Sequence, residues 1–211
     1  MSSRPTATVT VIIPHHATTA EFLPEAIRSV VAQTRQADAI IVVNDVDSRG
    51  PAWARNVAAR QARTDWLLLL DADDTLDPEF ISAGMRVVES DGSMVDIVVP
   101  SDARLSAAIL KDNYLPYCCL VRRYTWQVDL RGHQEPSVRG LGLCDWDFWI
   151  RVWRAHVQDP DAPVLTLGYI PASLFKHRDR PDSMSKWSNE HFSAMRDDLR
   201  RAHGITREDL E

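Results

Sequence analysis

The 211-residue sequence is poor in lysine and in glutamate, with 3 Lys against 21 Arg and 8 Glu against 22 Asp. It has only 3 cysteines, two of them adjacent, which fit neither a disulfide framework nor a zinc-ligand spacing. No apolar run approaches the ~20 residues of a membrane span, and the N-terminal segment lacks the apolar stretch of a secretory signal. We therefore expect a reduced, cytoplasmic protein without an integral membrane segment.

The overall composition excludes several classes of protein. Hydrophobic residues make up 45% of the chain, which argues against intrinsic disorder and against a fibrous repeat. The formal net charge of −6 gives no support to a broad nucleic-acid-binding surface, so we do not expect nucleic acid as a partner. Aspartate is a poorer helix former than glutamate and is favoured in loops, caps and metal sites. The excess of aspartate therefore directs attention to where these residues lie.

Short apolar runs and amphipathic segments alternate along the first half of the chain. Thr18 or Thr19 is placed to cap the first helix, and Pro51 to begin the second. Such alternation with short loops predicts an α/β fold, with a mostly parallel central sheet and helices on both faces. The predicted buried strands are 9–13, 39–43, 66–70 and 95–99, and the predicted helices are 18–34, 51–63 and 78–89.

The pattern loosens after Pro100. Trp146, Trp149, Ile150 and Trp153 recur at helical spacing, which predicts a helix with a core-facing stripe. No linker or internal repeat divides the chain, so we expect a single domain. The remaining predicted elements are strands at 117–122, 164–168 and 170–175, a glycine-containing loop at 133–142, and helices at 145–155 and 188–203.

The string Leu67-Leu-Leu-Leu-Asp-Ala-Asp-Asp-Thr75 places three carboxylates directly after a buried strand: Asp71, Asp73 and Asp74. Carboxylates so placed repel one another and lose hydration, and a divalent cation with oxygen ligands, such as Mg²⁺ or Mn²⁺, relieves both penalties. Ligands of open parallel sheets bind at this edge. Capping of the following turn is the simpler explanation, but it requires one acid rather than three.

Two enzyme classes contain such a string. In haloacid-dehalogenase-type phosphatases an apolar strand precedes DxDxT, which Asp71, Asp73 and Thr75 match, and the first Asp would be the nucleophile. In nucleotide-sugar transferases a DxD pair binds the metal. The phosphatase motif usually follows the first strand and has Gly after its second Asp, whereas here it follows the third strand and Asp74 takes that place. The context favours the transferase, and the phosphatase is the lesser alternative.

Seven segments, in order and spacing, resemble family 2 glycosyltransferases of the GT-A fold over residues 9–185. The resemblance implies one GT-A (Rossmann-like) domain over 1–211, with a nucleotide-sugar-binding half at about 9–100, an acceptor half at about 101–187 and a C-terminal helix at 188–211. It also implies Mn²⁺ or Mg²⁺ as cofactor. The segments are Val11-Ile-Ile-Pro14, 26–34, 41–45, 50–56, Leu70-Asp-Ala-Asp-Asp74, 145–151 and 180–185.

The resemblance assigns the donor nucleotide to the ends of the first three strands. Asp45 would accept hydrogen bonds from the base, and Arg55 would contact the base or the phosphates. His15 and the adjacent His16 are interpreted as pocket-lining residues rather than a metal pair, since neighbouring loop residues seldom point together. The implied donor-binding residues are Pro14, His15, Asp45, Arg55, Asp71 and Ala72.

The metal and the diphosphate would be held between two parts of the chain. Asp73 and Asp71 would bind the metal with Asp74 in support, and His177 would add a metal or phosphate contact. A late loop would fold over the diphosphate and add positive charge. A solvated basic loop is an equal alternative for the same residues, which are Arg178, Arg180 and Ser183.

Asp145 occupies the place of the family's catalytic base, which takes the proton of the attacking acceptor. Asp147 is an alternative base, and either acid also favours the helix dipole without any catalytic role. Cys144 stands where the family usually has Glu. Residues 101–142, where acceptor specificity is normally built, match nothing recognisable.

The sequence therefore predicts a metal-dependent, inverting glycosyltransferase that uses a nucleoside-diphosphate sugar. A UDP-sugar is the first expectation for the donor, and GDP- or TDP-sugars are alternatives. The acceptor stays open among glycans, proteins, lipid-linked and small molecules. A degenerate relative that binds nucleotide-sugar without transferring it is the competing hypothesis, because of Cys144 and because Asn44–Ser48 departs from the family's Asp-Asp-Gly-Ser turn.

Overall fold

The computed structural model describes residues 6–90, 94–129, 143–157, 165–180 and 189–210. Its strands are β1 Val9–His15, β2 Ala39–Asn44, β3 Trp66–Leu69, β4 Thr75–Leu76, β5 Ile97–Pro100, β6 Leu120–Arg122, β7 Leu167–Ile170 and β8 Phe175–Lys176. Six of them form one sheet in the order β2-β1-β3-β6-β5-β7, and β4 and β8 form a separate pair.

The large sheet is mostly parallel, as the sequence predicts. Strand β1 runs parallel to β2 and β3, and β5 runs parallel to β7, whereas β6 is antiparallel to both of its neighbours. The register places His15 opposite Asn44 and Ile12 opposite Leu69. The carboxyl ends of the first three strands therefore meet at one edge of the sheet.

Helices cover both faces of this sheet. One face packs against α2 and α4 with α5, through side chains such as Ala58, Trp149 and Leu199. The other face packs against α1 and α3, through side chains such as Val30 and Phe80. Strand residues alternate between these two cores, as the pleat requires. The helices are α1 Leu23–Val31, α2 Pro51–Gln61, α3 Phe80–Glu89, α4 Cys144–Val157 and α5 Asn189–Ala202.

Two predictions about the first elements are wrong. Helix α1 begins at Leu23 and has no side-chain cap, because Thr18 and Thr19 lie in a separate 3₁₀ turn, Ala17–Thr19. Strand β2 is an edge strand with Ile40 and Val42 exposed, not a buried one. An apolar run of this length fits a buried and an edge position equally, so its sequence did not distinguish them.

Strand β1 continues through Pro14 to His15 instead of stopping at the proline. Pairing with β3 ends at Ile12, so the missing N–H of Pro14 falls where no partner strand needs it. The predicted loop at 133–142 lies outside the described residues. Within the described ranges, no helix is long and apolar enough to cross a membrane.

Candidate active site

The carboxyl ends of β1, β2 and β3 carry the polar residues that the sequence singles out. Asn44 ends β2 and leads into Asp45, and β3 leads into a turn at residues 71–74, which we call the aspartate turn. Asp74 N donates to Asp71 O at 3.1 Å and closes this turn. Ala72 is buried within it. The position matches the usual ligand-binding edge of an open parallel sheet.

Asp45 is 4% exposed and organises the loop before α2. Its Oδ1 accepts from Arg49 N at 2.9 Å and its Oδ2 accepts from Gly50 N at 2.6 Å. Gly50 has φ of 98°, a conformation that glycine adopts without steric cost. Both carboxylate oxygens of Asp45 thus have backbone partners, and its contact with a nucleobase stays a prediction.

Pro14 and His15 lie at the end of β1, beside this loop. His15 O accepts from Asp45 N at 2.8 Å, which ties the two strand ends together. The Nδ1 atom of His15 is buried without a hydrogen-bond partner among the described residues. The adjacent His16 turns away and contacts Ser48 Oγ through Nε2 at 3.1 Å, so the two histidines do not form a pair.

Arg55 connects the aspartate turn to the first turn of α4. Its side chain is 4% exposed; Nη2 donates to Asp71 Oδ1, and Nη1 donates to Cys144 Sγ at 3.5 Å. The guanidinium lies 3.9 Å from the centroid of the Tyr117 ring. Burial is the largest influence and opposes the charged form, but the charges of Asp71, Tyr117 and Cys144 and the hydrogen bond to Asp71 together outweigh it and raise the pKa of Arg55, so the guanidinium stays charged. Its predicted nucleotide contact stays a prediction beside these internal contacts.

The segment after β8, residues 177–180, covers the aspartate turn; we call it the covering loop. Pairing of β4 with β8 brings it there, with Thr75 opposite Lys176. Arg180 Nε lies 3.1 Å from Asp73 Oδ2, and the Arg180 side chain is 11% exposed. Asp74 Oδ1 accepts from Arg178 N at 2.8 Å and contacts His177 Nδ1 at 3.2 Å. Arg180 is therefore not part of a solvated basic loop.

The covering loop is also fastened to the segment after β1. Arg178 donates to Glu25 through Nη2, and Arg180 Nη1 donates to Thr18 O at 3.0 Å. The guanidinium carbons of Arg178 and Arg180 lie 4.8 and 5.3 Å from the centroid of the Phe22 ring. The third residue predicted for this loop, Ser183, lies outside the described residues.

The carboxylates of the aspartate turn retain mutual repulsion despite these cations. Burial, and then the charges of Asp71 and Asp74, raise the pKa of Asp73. Burial also raises the pKa of Asp74, against the hydrogen bond from His177. That same hydrogen bond raises the pKa of His177. A further cation at this turn would reduce the remaining repulsion between these carboxylates.

The donor set suits a divalent cation held jointly by protein and substrate. Within the described ranges, no three His, Cys, Asp or Glu side chains converge on a possible metal position. Mg²⁺ commonly takes only one or two carboxylates and completes its shell with substrate phosphates and water. Asp73 and Asp71 fit that pattern, whereas His177 is paired with Asp74. The metal-binding roles of these residues stay predictions.

Asp145 lies in the first turn of α4, next to Cys144, which accepts a hydrogen bond from Arg55. Its Oδ1 accepts from Trp146 N at 2.9 Å and its Oδ2 accepts from Asn113 Nδ2 at 2.8 Å. Burial raises the pKa of Asp145, against the hydrogen bond from Trp146 N and the charge of Arg55. A carboxylate that binds protons more readily than usual is suited to general-base chemistry. Asp145 also lies near Arg55, which contacts Asp71 of the aspartate turn.

Asp147, the alternative base, has a different environment. Arg151 Nε donates to its Oδ2 at 2.9 Å, and His203 Nε2 lies 2.8 Å from its Oδ1. Burial opposes ionisation, but the hydrogen bond with His203 and the charge of Arg151 outweigh it and lower the pKa of Asp147. Asp147 therefore anchors α5 to α4 and is a weaker candidate for proton transfer.

Sequence reasoning missed three residues of this site: Asn113, Tyr117 and Phe22. Asn113 and Tyr117 lie in the stretch that matched no known pattern, and their partners Asp145 and Arg55 are 32 and 62 positions away in the sequence. The predicted strand at 117–122 carried no sign that Tyr117 would stack on a guanidinium. The aromatic stripe of α4 is confirmed, since Trp146, Trp149, Ile150 and Trp153 are all buried.

Comparison with known proteins agrees with this architecture. Residues 46–107 match the model of glycosyl transferase family 2. An uncharacterized glycosyltransferase of Haemophilus influenzae is 32% identical over 76 residues, which are 36% of this chain and 26% of that protein. The chain thus spans about a quarter of the length of this curated relative.

Solved structures show the same fold at low sequence identity. The crystal structure of S. aureus TarS 1–349 in complex with UDP-GlcNAc has a TM-score of 0.61 at 14% identity, over 90% of this chain and 65% of that chain. Another crystal structure of S. aureus TarS 1–349 has a TM-score of 0.59 at 14% identity, over 95% of this chain and 73% of that chain. The mannosyltransferase PcManGT from Pyrobaculum calidifontis, in complex with GDP-Man and Mn²⁺, has a TM-score of 0.64 at 16% identity, over 98% and 66%.

These findings confirm the predicted fold and the predicted resemblance. The described residues adopt the fold of these GT-A glycosyltransferases, with a mostly parallel sheet between two layers of helices. The match to the family model is confined to 46–107, whereas the resemblance noted in the sequence extends to residue 185. This chain is thus similar in sequence to family 2 glycosyltransferases and has the GT-A fold.

Proposed function

We propose that this chain transfers a sugar from a nucleoside-diphosphate sugar to an acceptor hydroxyl, with a divalent cation and with inversion at the anomeric carbon. One observation carries the proposal. Arg55 joins Asp71, in the aspartate turn at the ligand-binding edge of the sheet, to Cys144, the neighbour of the carboxylate Asp145. Asp71 would act on the donor side and Asp145 would accept the proton, so the two proposed roles would lie on either side of one buried residue.

The donor side would bind and orient the nucleoside diphosphate. Asp73 and Asp71 would hold the metal, Arg178 and Arg180 would approach the phosphates, and His15 would line the base pocket. The metal, when bound, neutralises negative charge that develops on the diphosphate leaving group. Arg180 lies 3.1 Å from Asp73, so the covering loop already places a cation beside this position. Preorganised charge of this kind stabilises the transition state without further rearrangement.

The acceptor side would supply the proton acceptor. Asp145 would take the proton of the acceptor hydroxyl as that oxygen attacks the anomeric carbon, while the bond from that carbon to the diphosphate oxygen breaks. Attack and departure occur on opposite faces of the sugar in one displacement. The configuration at the anomeric carbon is inverted as a result.

The donor proposal draws on the ligands named for the related structures. UDP-GlcNAc is bound in the TarS fragment, and GDP-Man is bound with Mn²⁺ in PcManGT. We therefore place UDP-sugars first and GDP-sugars second, with TDP-sugars as a further alternative. Glycan, protein, lipid-linked and small-molecule acceptors all agree with a hydroxyl at Asp145.

The proposal can be tested with donors alone, because water can replace the acceptor slowly. A panel of UDP-, GDP- and TDP-sugars would be incubated with Mn²⁺ or Mg²⁺, and release of the nucleoside diphosphate would be measured. We expect release with one base, its loss on chelation of the metal, and a sugar product whose anomeric configuration, read by ¹H NMR before mutarotation, is inverted. A product with the donor's configuration would contradict single displacement.

A nucleotide-sugar-binding protein without transferase activity is the second candidate, and one contact favours it. Arg180 Nε lies 3.1 Å from Asp73 Oδ2, so a carboxylate that the transferase would need for the metal already has a cationic partner. In that case nucleoside diphosphates would raise the melting temperature of the protein, since a ligand that binds only the folded state stabilises it. No donor in the panel would be hydrolysed.

A further inference from the structure

Both oxygens of Asp145 are held by neutral donors, and one of these donors comes from another part of the chain. Oδ1 accepts from the backbone N of Trp146, the next residue. Oδ2 accepts from Nδ2 of Asn113 at 2.8 Å. An ionised carboxylate can only accept, so the amide of Asn113 must turn its nitrogen toward Asp145. Two donors on two oxygens fix the rotation of the carboxylate.

The segment that carries Asn113 is fastened to the helices on which Asp145 and its neighbours lie. Trp146 Nε1 donates to Ile109 O at 2.5 Å, which joins α4 to the 3₁₀ turn Ala107–Leu110. Arg200 Nη2, from α5, donates to Lys111 O at 3.0 Å. Asn113 follows two residues later. Its contact with Asp145 is therefore supported from two directions and does not depend on a loosely held loop.

The oxygen of the Asn113 amide has a different environment from its nitrogen. Its Oδ1 is buried and has no hydrogen-bond partner in the part of the chain that the structure describes. A buried acceptor without a donor lowers stability, so an apolar side chain of the same size would serve packing better than an amide. An amide at this position is explained by the hydrogen bond that its nitrogen donates to Asp145.

We propose that Asn113 is a positioning residue for Asp145, whose Nδ2 orients the carboxylate toward the acceptor hydroxyl. The proposal rests on the proposed function, in which Asp145 takes the acceptor's proton. Asn113 transfers no proton itself and acts through Asp145. It adds a residue of the unrecognised 101–142 stretch to the acceptor side of the site.

Loss of the Asn113 hydrogen bond should shift the pKa of Asp145 in a predictable direction. A hydrogen bond to the charged form favours that form, so removing it raises the pKa of Asp145. The other charged or titratable groups that act on this carboxylate are Arg55 from α2, Asp71 after β3 and the neighbouring Cys144. None of them is altered by a substitution at Asn113.

The test compares Asn113→Leu, which keeps the size and removes the donor, with Lys111→Ala as a matched control. The Lys111 side chain is exposed, and the hydrogen bonds described for this residue use only its backbone N and O, so the control changes the same segment without touching Asp145. Donor hydrolysis would be followed from pH 5 to 9 with UDP-GlcNAc and GDP-mannose. We expect the acidic limb of kcat/KM to move to higher pH by about half a unit to one unit in Asn113→Leu and to stay in place in Lys111→Ala. If kcat/KM of Asn113→Leu fell by the same factor at every pH, the role of Asn113 would be structural and the proposal would be overturned.

A second measurement does not require turnover. The ¹³C carboxyl resonance of Asp145, assigned by its disappearance in Asp145→Asn, would be titrated in the wild-type protein and in Asn113→Leu. A higher midpoint in the variant supports the positioning role, and an unchanged midpoint overturns it. If the wild-type protein hydrolyses no donor, the proposed function fails, while this titration still decides the role of Asn113.

Discussion

The aspartate turn and the first turn of α4 both present carboxylates next to Arg55, but they hold them differently. In the aspartate turn each carboxylate has a cationic or histidine partner: Asp71 contacts Arg55, Asp73 lies beside Arg180 and Asp74 contacts His177. In α4 the hydrogen-bond donors to Asp145, within the described residues, are a backbone N–H and the amide of Asn113.

In the proposed function, this difference separates donor binding from proton transfer. A carboxylate that already contacts a cationic side chain can exchange it for a metal ion at small electrostatic cost. The released side chain can then contact a phosphate. Burial raises the pKa of Asp145, and its neutral hydrogen-bond donors offset this only in part, so the carboxylate accepts a proton more readily. Asp147, two residues further along α4, contacts Arg151 and His203, and its pKa is lowered. Two neighbouring acids on one helix thus have pKa values shifted in opposite directions by their surroundings.

The largest expected effect comes from removing the Asp73 carboxylate from the aspartate turn. Asp73→Ala should lower metal-dependent donor hydrolysis by about 10²–10³-fold, because charge on the leaving group is no longer compensated. The residual rate should not respond to chelation of the metal. Asp77→Asn, in the segment that follows this turn, is the matched control and should keep the wild-type rate. Equal hydrolysis rates for the wild type and Asp73→Ala would show that the metal does not bind at this turn.

A smaller effect is expected from cutting the link between the two regions. Arg55→Met should lower the free energy of unfolding by about 2–3 kcal/mol, since it leaves Asp71 without its buried cationic partner. The Asp71 side chain is 35% exposed, which keeps the cost below that of a fully buried pair. Denaturant unfolding measures the change. An unfolding midpoint equal to that of the wild type would show that this link carries no stability.

Asp147 sharpens the comparison within α4. Asp147→Asn should lower stability at neutral pH by about 1–2 kcal/mol while donor hydrolysis is kept, because it weakens the contacts to Arg151 and His203. The folded-state pKa of Asp147 lies below its ordinary value of 3.8, so this stabilisation is present above pH 3.8 and is lost as the pH falls through the folded-state pKa. Unfolding curves of the two proteins should converge in acid. Loss of hydrolysis with full stability would instead make Asp147 the base.

The smallest effect concerns the covering loop. The pKa of His177 is raised above its ordinary value of 6.5, so its contribution is complete below that pH and is lost as the pH rises through the folded-state pKa. Its side chain is 62% exposed, which limits the contribution to about 0.5 kcal/mol. Hydrogen exchange of the Arg178 amide, corrected for its intrinsic pH dependence, should be more protected at pH 6 than at pH 9. His177→Gln should remove this pH dependence.

The sequence predicted the sheet edge and the aspartate turn well, for a physical reason. Apolar runs that end abruptly in acids indicate both where a buried strand stops and where its carboxylates emerge. The exposure of Ile40 and Val42 was missed because periodicity does not reveal which strand lies at the edge. The start of α1 was missed because Thr18 and Thr19 lie in a 3₁₀ turn instead of capping it.

The partners of the site residues were beyond sequence reasoning. The contacts of Arg55 with Asp71 and with Cys144, the second of which is 89 positions away, were not predicted, and its contact with the nucleotide stays a prediction. Asn113 reaches Asp145 across 32 positions from a stretch with no recognisable pattern. Such pairs depend on how helices and turns pack on the sheet, which local propensity does not determine.

The most direct test of the division between binding and proton transfer is a pair of measurements on one preparation of Asp145→Asn. Binding of the nucleoside diphosphate with Mn²⁺ would be measured by calorimetry, and hydrolysis of the matching nucleotide-sugar would be measured under the same conditions. We predict an unchanged dissociation constant together with hydrolysis reduced by about 10²–10⁴-fold, the range of general-base contributions. Hydrolysis at the wild-type rate, or loss of nucleotide binding in this variant, would contradict the account.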